Sequence, residues 1–340
     1  MKNNEITRRA PTLKTIAGLT GLAVPTVSRA LSGALDIKES TRARVRVVAD
    51  EIGYVPNRAG VRLRTGRTNV ISLVMSNEHD VVNHTVRLFS SVAAGLRNTP
   101  FHLIITPYFS DEDPMTPIRH IVENRSADAV IFNQIKPQDP RVRYLMDRDF
   151  PFATHGRSDW SADHAWFDFD NRAFGQIAVE TLVKRGRRRL LMIPPRADQT
   201  YARAMISGCM SAAEELGVSL EVVSEFCSDS AIDVVERGVY HRLRAQAPPD
   251  GVIAGSINSA MAVGAAMKAA EITPGEQADI FTKEATVFLQ RVWPDILTVS
   301  EDAASAGDFL ARAAMTRVMN PAASPMQHLD VPSAPNTALG

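Results

Sequence analysis

The chain has 340 residues, 45% hydrophobic and 22% charged, with 38 basic and 38 acidic side chains. That length exceeds one ordinary core and predicts two or three units of globular composition. No run approaches the roughly eighteen apolar residues of a membrane span, and the start, Met1-Lys2-Asn3-Asn4-Glu5, lacks the apolar centre of a signal peptide.

The zero net charge is unevenly spread. Residues 1–68 hold thirteen Lys and Arg against five Asp and Glu, a sum of +8, so residues 69–340 carry −8. A basic head on an acidic body is the pattern of a chain that grips a polyanion at one end. Within the head, Thr12 is placed to cap a first helix whose Leu13, Ile16, Ala17 and Leu19 share one face. Gly21 breaks it, as the turn of a helix-turn-helix requires. A second helix spans Val24 to Leu31, with Pro25 tolerated in its first turn. Val27, Ala30 and Leu31 point inward, which leaves Thr26, Ser28 and Arg29 outside. A third helix, from Glu39 to Ile52, sets Val45, Val48, Ala49 and Ile52 on the core and ends at Gly53. Pro56 closes this section, and Asn57 can cap a short basic segment holding Gly60 and Leu63. Alone that segment is a poor helix. It suits a stretch that becomes helical on DNA, with Leu63 wedged between base steps.

Thr12-Leu13-Lys14-Thr15-Ile16-Ala17, Gly21, Thr26-Val27-Ser28-Arg29-Ala30-Leu31, Thr41-Arg42 and Gly53-Tyr54-Val55-Pro56-Asn57 closely resemble the LacI/GalR family of bacterial repressors in order and spacing. The resemblance implies a homodimer on palindromic double-stranded operator DNA, in the cytoplasm, with base readers at Val24, Pro25 and Arg29 and the wedge at Leu63. Apolar Val24 and Pro25 restrict direct readout to contacts such as a thymine methyl, whereas Arg29 suits a bidentate bond to guanine. Lys14, Arg42, Arg64 and the pair Arg8-Arg9 are expected at phosphates, which fix register without reading sequence. The expected division is a head over 1–56, a hinge over 57–68, a two-lobed body over 69–330 and a frayed tail over 331–340.

The body alternates short apolar runs with helical stretches. Seven strand candidates stand out: 70–75, 101–105, 129–132, 151–154, 190–193, 220–223 and 251–254. Strand–helix alternation indicates parallel sheets, and eight or so strands are too many for one compact sheet. The predicted fold class is therefore α/β: a helical head on a body of two parallel-sheet lobes. The family resemblance implies that these are two Rossmann-like lobes of the periplasmic-binding-protein type, with crossovers expected near 180–188, near 292–297 and after about 318.

In such sheets ligands bind beyond the carboxyl ends of strands. Asn133 follows a strand run directly, although a bond to loop backbone would also explain it. By resemblance, Asp170 matches the family's ligand-binding aspartate, with helix capping as the alternative. Asn258 matches the asparagine of an Asn-Asp pair whose Asp is Ser259 here. Glu284 falls at the family's cleft aspartate. The family's anchoring arginine is replaced by Met205, with Arg203 close enough to substitute. Phe226 offers an aromatic face for a sugar or base, or core packing. Paired carboxylates and amides suit a polyhydroxylated ligand, so a sugar is the expected effector. A purine-like corepressor and an effector-independent DNA binder are the alternatives. No catalytic motif of the GxSxG, HExxH, Walker or CxxC kind occurs. Neither an enzyme, a metal nor a cofactor is expected, and Cys209 and Cys227 are expected as free thiols.

Overall fold

The computed structural model describes residues 10–55, 60, 62, 66–76, 85–109, 111–285, 288–333 and 335. The chain divides into two compact units, Met1–Thr68 and Asn69–Gly340.

The first unit contains three helices, α1 (Leu13–Thr20), α2 (Val24–Leu31) and α3 (Glu39–Glu51). Thr12 caps α1 through a capping box with Thr15, which satisfies two backbone donors at the helix start. Gly21 ends it at φ 67°, a left-handed conformation that glycine adopts without a steric penalty. Ile16, Val27, Ala30, Val45 and Ala49 form the buried core, with Val48, Ile52 and Tyr54 packed on its rim.

The second unit is built on two all-parallel sheets. Strands β1 (Val70–Ser76), β2 (His102–Tyr108), β3 (Ala129–Phe132), β4 (Phe152–His155) and β5 (Ala165–Phe169) belong to the first sheet, with β11 (Gln327–Asp330) on its edge. The order is β11-β5-β4-β3-β1-β2. Strands β6 (Arg189–Ile193), β7 (Ser219–Val222), β8 (Gly251–Ala254), β9 (Asp279–Glu284) and β10 (Leu297–Ser300) make the second, ordered β10-β9-β8-β6-β7. Both faces of each sheet are covered. Ile71 and Leu73 of β1 enter one cluster with α4 (Val86–Gly95) and α12 (Ala303–Met319), while Val70 and Val74 enter another beside α5 (Met115–Asn124) and α6 (Pro140–Met146). This period-two division is what an apolar strand buried on both sides produces. In the second lobe α7 (Asn171–Lys184) and α8 (Thr200–Glu215) cover one face. The other carries α9 (Ile232–Leu243) and α10 (Ile257–Ala269). A short α11 (Phe288–Val292) follows β9.

The chain passes between lobes earlier and later than expected. The first passage lies at 169–171, where β5 ends and α7 starts on the second sheet, not at 180–188. The second lies at 300–303, where β10 gives way to α12 on the first sheet, not at 292–297. After residue 318 the chain stays with the first lobe and adds β11. The Asp330 carbonyl accepts from the Asp170 N–H, which ties β11 to the first passage. Pro332 is buried, so the expected tail is packed at that point. Four strands without a clear apolar run, β5, β9, β10 and β11, bring the described total to eleven rather than about eight.

Candidate functional site

In the head, α2 presents the groove-facing candidates on one short helix. Pro25 and Arg29 are exposed, and Val24, Thr26 and Ser28 are half-buried. Its N-cap, Ala23, offers no side-chain acceptor, so the first N–H groups of α2 are available to an anion. Arg29 is held by Asp36 from the loop after the helix. Thr12 and Lys14 are exposed at the start of α1. Arg42 departs from its expected role at a phosphate. Its Nη1 donates to the carbonyls of Gly33 (3.2 Å) and Ala34 (3.4 Å), and it pairs with Glu39, so it closes the α2–α3 loop. Asn57, Leu63 and Arg64 lie outside the described residues, as do Arg8 and Arg9.

In the body, a cleft of about 1080 Å³, mouth included, opens where the carboxyl ends of both sheets converge. The first lobe supplies Asn133, Gln134, His155 and Asp168, and the second supplies Asn171, Tyr201, Asp229, Ser256, Lys283 and Glu284. Asn133 and Glu284 stand where the sequence put them. The Asn133 Oδ1 is buried and makes no hydrogen bond with the described residues. Glu284 accepts through Oε2 from the Leu289 N–H (3.0 Å), which fixes the start of α11. Gly156 turns the chain at φ 114° beside the cleft.

The other four candidates do not line the cleft. Asp170 caps α7 by accepting from the Ala173 N–H (3.0 Å), and its neighbours Asp168 and Asn171 reach the wall instead. Arg203 is exposed, its Nε donating to the Ala197 carbonyl (3.0 Å). Met205 is fully buried where α8 crosses α7. That crossing is tight: a Cβ on Gly208 would meet the Arg172 carbonyl oxygen at 2.1 Å, and one on Gly175 the Met205 carbonyl oxygen at 2.5 Å. No long cation fits a position turned into that contact, so α8 reaches the cleft through its first turn, at Tyr201. Phe226 packs on the second-lobe core beneath Arg242, 5.5 Å from the guanidinium. Asn258 stands one residue beyond the Ser256-Ile257 pair that forms the wall.

Two charged clusters missed in the sequence stand at the cleft wall. Arg157 Nε donates to Asp168 Oδ2 at 2.7 Å. Lys283 Nζ lies 2.9 Å from Glu301 and donates to Asn171 Oδ1 at 3.1 Å, above the rings of Phe169 (5.0 Å) and Tyr201 (5.5 Å). Asp168 is 7% exposed. Burial pushes its pKa up to about 6 against the opposing pull of Arg157 and Lys283, with Glu301 adding to the rise. Two contacts join the lobes near the mouth: the Thr200 N–H donates to the Ile135 carbonyl (2.8 Å), and Lys136 pairs with Asp198 (2.9 Å). The arrangement can bind hydroxyl groups through carboxylates and amides from both sides. Among the described residues no three His, Cys, Asp or Glu side chains are grouped to hold a metal ion, and no helix is long and apolar enough to cross a membrane. Cys209 and Cys227 are both free, and burial pushes the Cys209 thiol up to about 12.

Residues 12–57 match the family model described as bacterial regulatory proteins, lacI family, and residues 179–336 match the periplasmic binding protein-like domain. The chain is 33% identical over 246 residues to the HTH-type transcriptional regulator RafR of Escherichia coli, covering 71% of each chain. It is 31% identical over 256 residues to AglR of Rhizobium meliloti, covering 74% of this chain and 71% of the relative. Among solved structures, the lac repressor dimer bound to operator and an anti-inducer superimposes with a TM-score of 0.81 at 16% identity, covering 96% of this chain and 97% of that one. A CelR–cellobiose complex superimposes at 0.70 with 20% identity, covering 96% and 99%. These two likenesses show the fold.

Proposed function

We propose that this chain, which belongs to the lacI family of bacterial regulatory proteins, is a cytoplasmic repressor of carbohydrate-utilisation genes, released from a palindromic operator by a sugar seated in the cleft. The observation that carries the sugar reading is the composition of the wall. Asp168, Asp229, Glu284 and Glu301 stand with Asn133, Gln134 and Asn171, against Lys283 as the main cation. A carboxylate accepts from vicinal hydroxyls, and an amide both donates and accepts. The excess of carboxylate repels phosphate and other anions. A relative's solved complex with cellobiose and a relative described as the ribose operon repressor point the same way.

DNA binding is assigned to α2, with Arg29 reading guanine, Lys14 on phosphate, and the stretch with Asn57, Leu63 and Arg64 as the hinge and minor-groove wedge. A homodimer is favoured by the edge strand β2, where Ile104 and Ile105 are 47% and 48% exposed and Phe109 just beyond is 55% exposed. Ligand and operator compete through the balance of two body conformations, a coupling typically of about 1–3 kcal/mol.

The test selects an inverted repeat from a random duplex pool and follows its complex by gel shift as sugars are added. Release by a sugar, at concentrations that also raise the melting temperature, supports the reading. Tighter binding on addition would make the ligand a corepressor. No preference for any inverted repeat over scrambled duplex would end the reading.

A further inference from the structure

The arginine assigned to base reading does not stand alone. Arg29 lies in the last turn of α2, and its Nη2 donates to Oδ2 of Asp36, seven residues further on. The pair is at the surface, with side chains 58% and 51% exposed. Asp36 belongs to the short loop between α2 and α3, and that loop is built to hold it there.

The carboxyl end of α2 closes tightly. The Gly33 N–H donates to the Ala30 carbonyl (3.2 Å) and the Ala34 N–H to the Arg29 carbonyl (3.0 Å), with Gly33 turned to φ 75°. This paired closure on a left-handed glycine folds the following residues back beside the last helical turn. The Ser32 hydroxyl adds a bond to the same Arg29 carbonyl (3.0 Å). From α3, Arg42 Nη1 donates to the carbonyls of Gly33 and Ala34. Beyond Asp36, the Ile37 N–H donates to the Ala34 carbonyl (3.1 Å), and the Ile37 side chain packs on the head core. Asp36 is therefore bracketed by two fixed points, Ala34 and Ile37, and its carboxylate is delivered to the guanidinium of Arg29.

Stability does not account for this pair. An exposed ion pair contributes little. The carboxylate also stands beyond the carboxyl end of α2, where the helix dipole is negative, on a head whose other charges attract a polyanion. What the pair changes is the arginine. A long, flexible guanidinium on DNA is served as well by a phosphate as by a guanine, and only the second contact carries sequence information. Asp36 takes one Nη2 hydrogen and leaves the Nη1 and Nε donors to a second partner. It fixes the plane of the fork, and its charge repels a phosphate from the same place.

We propose that Asp36 is a positioning residue that determines specificity: it holds Arg29 in the orientation that reads guanine and withholds that side chain from phosphates. This rests on the reading of α2 as the groove helix with Arg29 as a base reader, and adds the group through which Arg29 discriminates. Arg42 supports the arrangement at one remove, by fixing the loop. The consequence runs against simple electrostatics. Removing an acid from a DNA-binding surface should raise affinity for any duplex and yet blunt the choice between sequences.

The test is a base-pair scan of the selected operator by fluorescence anisotropy, using the full chain unaltered, as Arg29→Ala, as Asp36→Ala and as the double variant. The pair read by Arg29 is the one at which Arg29→Ala loses discrimination. There, Asp36→Ala should lower the ratio of affinities for the correct and the substituted pair by about fivefold or more, the low end of what one bidentate contact supplies. On random duplex the same variant should bind more tightly, its log affinity falling more steeply with log salt by up to about 0.9 as Arg29 reaches a phosphate. With Arg29 already replaced, removing Asp36 should leave the ratio unchanged. Asp36→Asn keeps the shape of the loop without the charge and should show the same rise on random duplex. An unchanged ratio in Asp36→Ala would overturn the proposal, as would an equal fall with and without Arg29, or no rise on random duplex in either Asp36 variant. An unaltered protein that prefers no inverted repeat would remove the groove reading itself, a result distinct from a preference that survives the loss of Asp36.

Discussion

The head and the cleft present their chemistry in opposite ways. In the head, the five groove-facing candidates Val24, Pro25, Thr26, Ser28 and Arg29 fall within six consecutive residues of α2. In the cleft, the wall runs from Ser76 to Glu301 and takes one or two residues from the end of each of several strands. A helix exposes a face that its own periodicity dictates. A cleft between two sheets is a product of topology, and no local pattern announces it. The two regions also differ in what supports them. Among the described residues the head rests on one cluster of five buried apolar side chains, whereas each body lobe has two cores, one on each face of its sheet.

That difference is most sharply broken by Ile16→Ala. Deleting a fully buried side chain typically costs about 2–5 kcal/mol, and so small a unit has little stability to lose. The head should unfold and DNA binding vanish, while the body melts at its usual temperature and keeps its ligand. Circular dichroism melts with a parallel sugar titration check this, and joint loss of both functions would refute the independence of the two units.

Asp168 supplies the next effect, confined to the body. Because its pKa is raised to about 6, the folded protein retains a proton that the unfolded chain has lost between about pH 4 and 6. Its contribution to stability therefore falls as pH rises through that window, by up to about 3 kcal/mol. Asp168→Asn has no such titration. The melting temperature of the variant minus that of the unaltered protein should climb from pH 4 to pH 6, and a flat difference would contradict the buried carboxylate. Arg29→Ala comes third and belongs to the head. It should cost about 1–3 kcal/mol at the selected operator and relax specificity at one base pair, with sugar affinity unchanged by calorimetry. The smallest effect is Thr12→Ala, which removes the α1 cap and should cost about 1 kcal/mol, visible as a lower melting temperature of the head alone.

What the sequence revealed follows the same division. Thr12, Gly21 and the span Val24–Leu31 were legible because caps, breakers and apolar period act within a few residues. Arg42 was misjudged because a loop folded back onto it and claimed its guanidinium. In the body, apolar runs such as Ala129–Phe132 revealed their strands, whereas β9 (Asp-Ile-Phe-Thr-Lys-Glu) was concealed by the polar ends that it brings to the cleft. Asp170 and Asp168 differ by two positions, and which one lines the cleft depends on where the chain leaves one sheet for the other. The chain leaves the first sheet at 169–171, ahead of the 180–188 that the sequence predicts, so Asp168 lines the cleft and Asp170 caps α7. Tyr201 and Lys283 went unrecognised for a related reason. Each gains its meaning from neighbours far away in the chain, Phe169, Asn171 and Glu301 among them.

In the proposed repressor the cleft and the head act on one equilibrium. Linkage requires each ligand to alter the affinity for the other by the same factor. The direct measurement is the calorimetric affinity of the best-binding sugar for the full-length protein, once free and once saturated with its selected operator duplex. The sugar should bind the operator complex roughly 5- to 150-fold more weakly. Equal affinities with and without operator would contradict it.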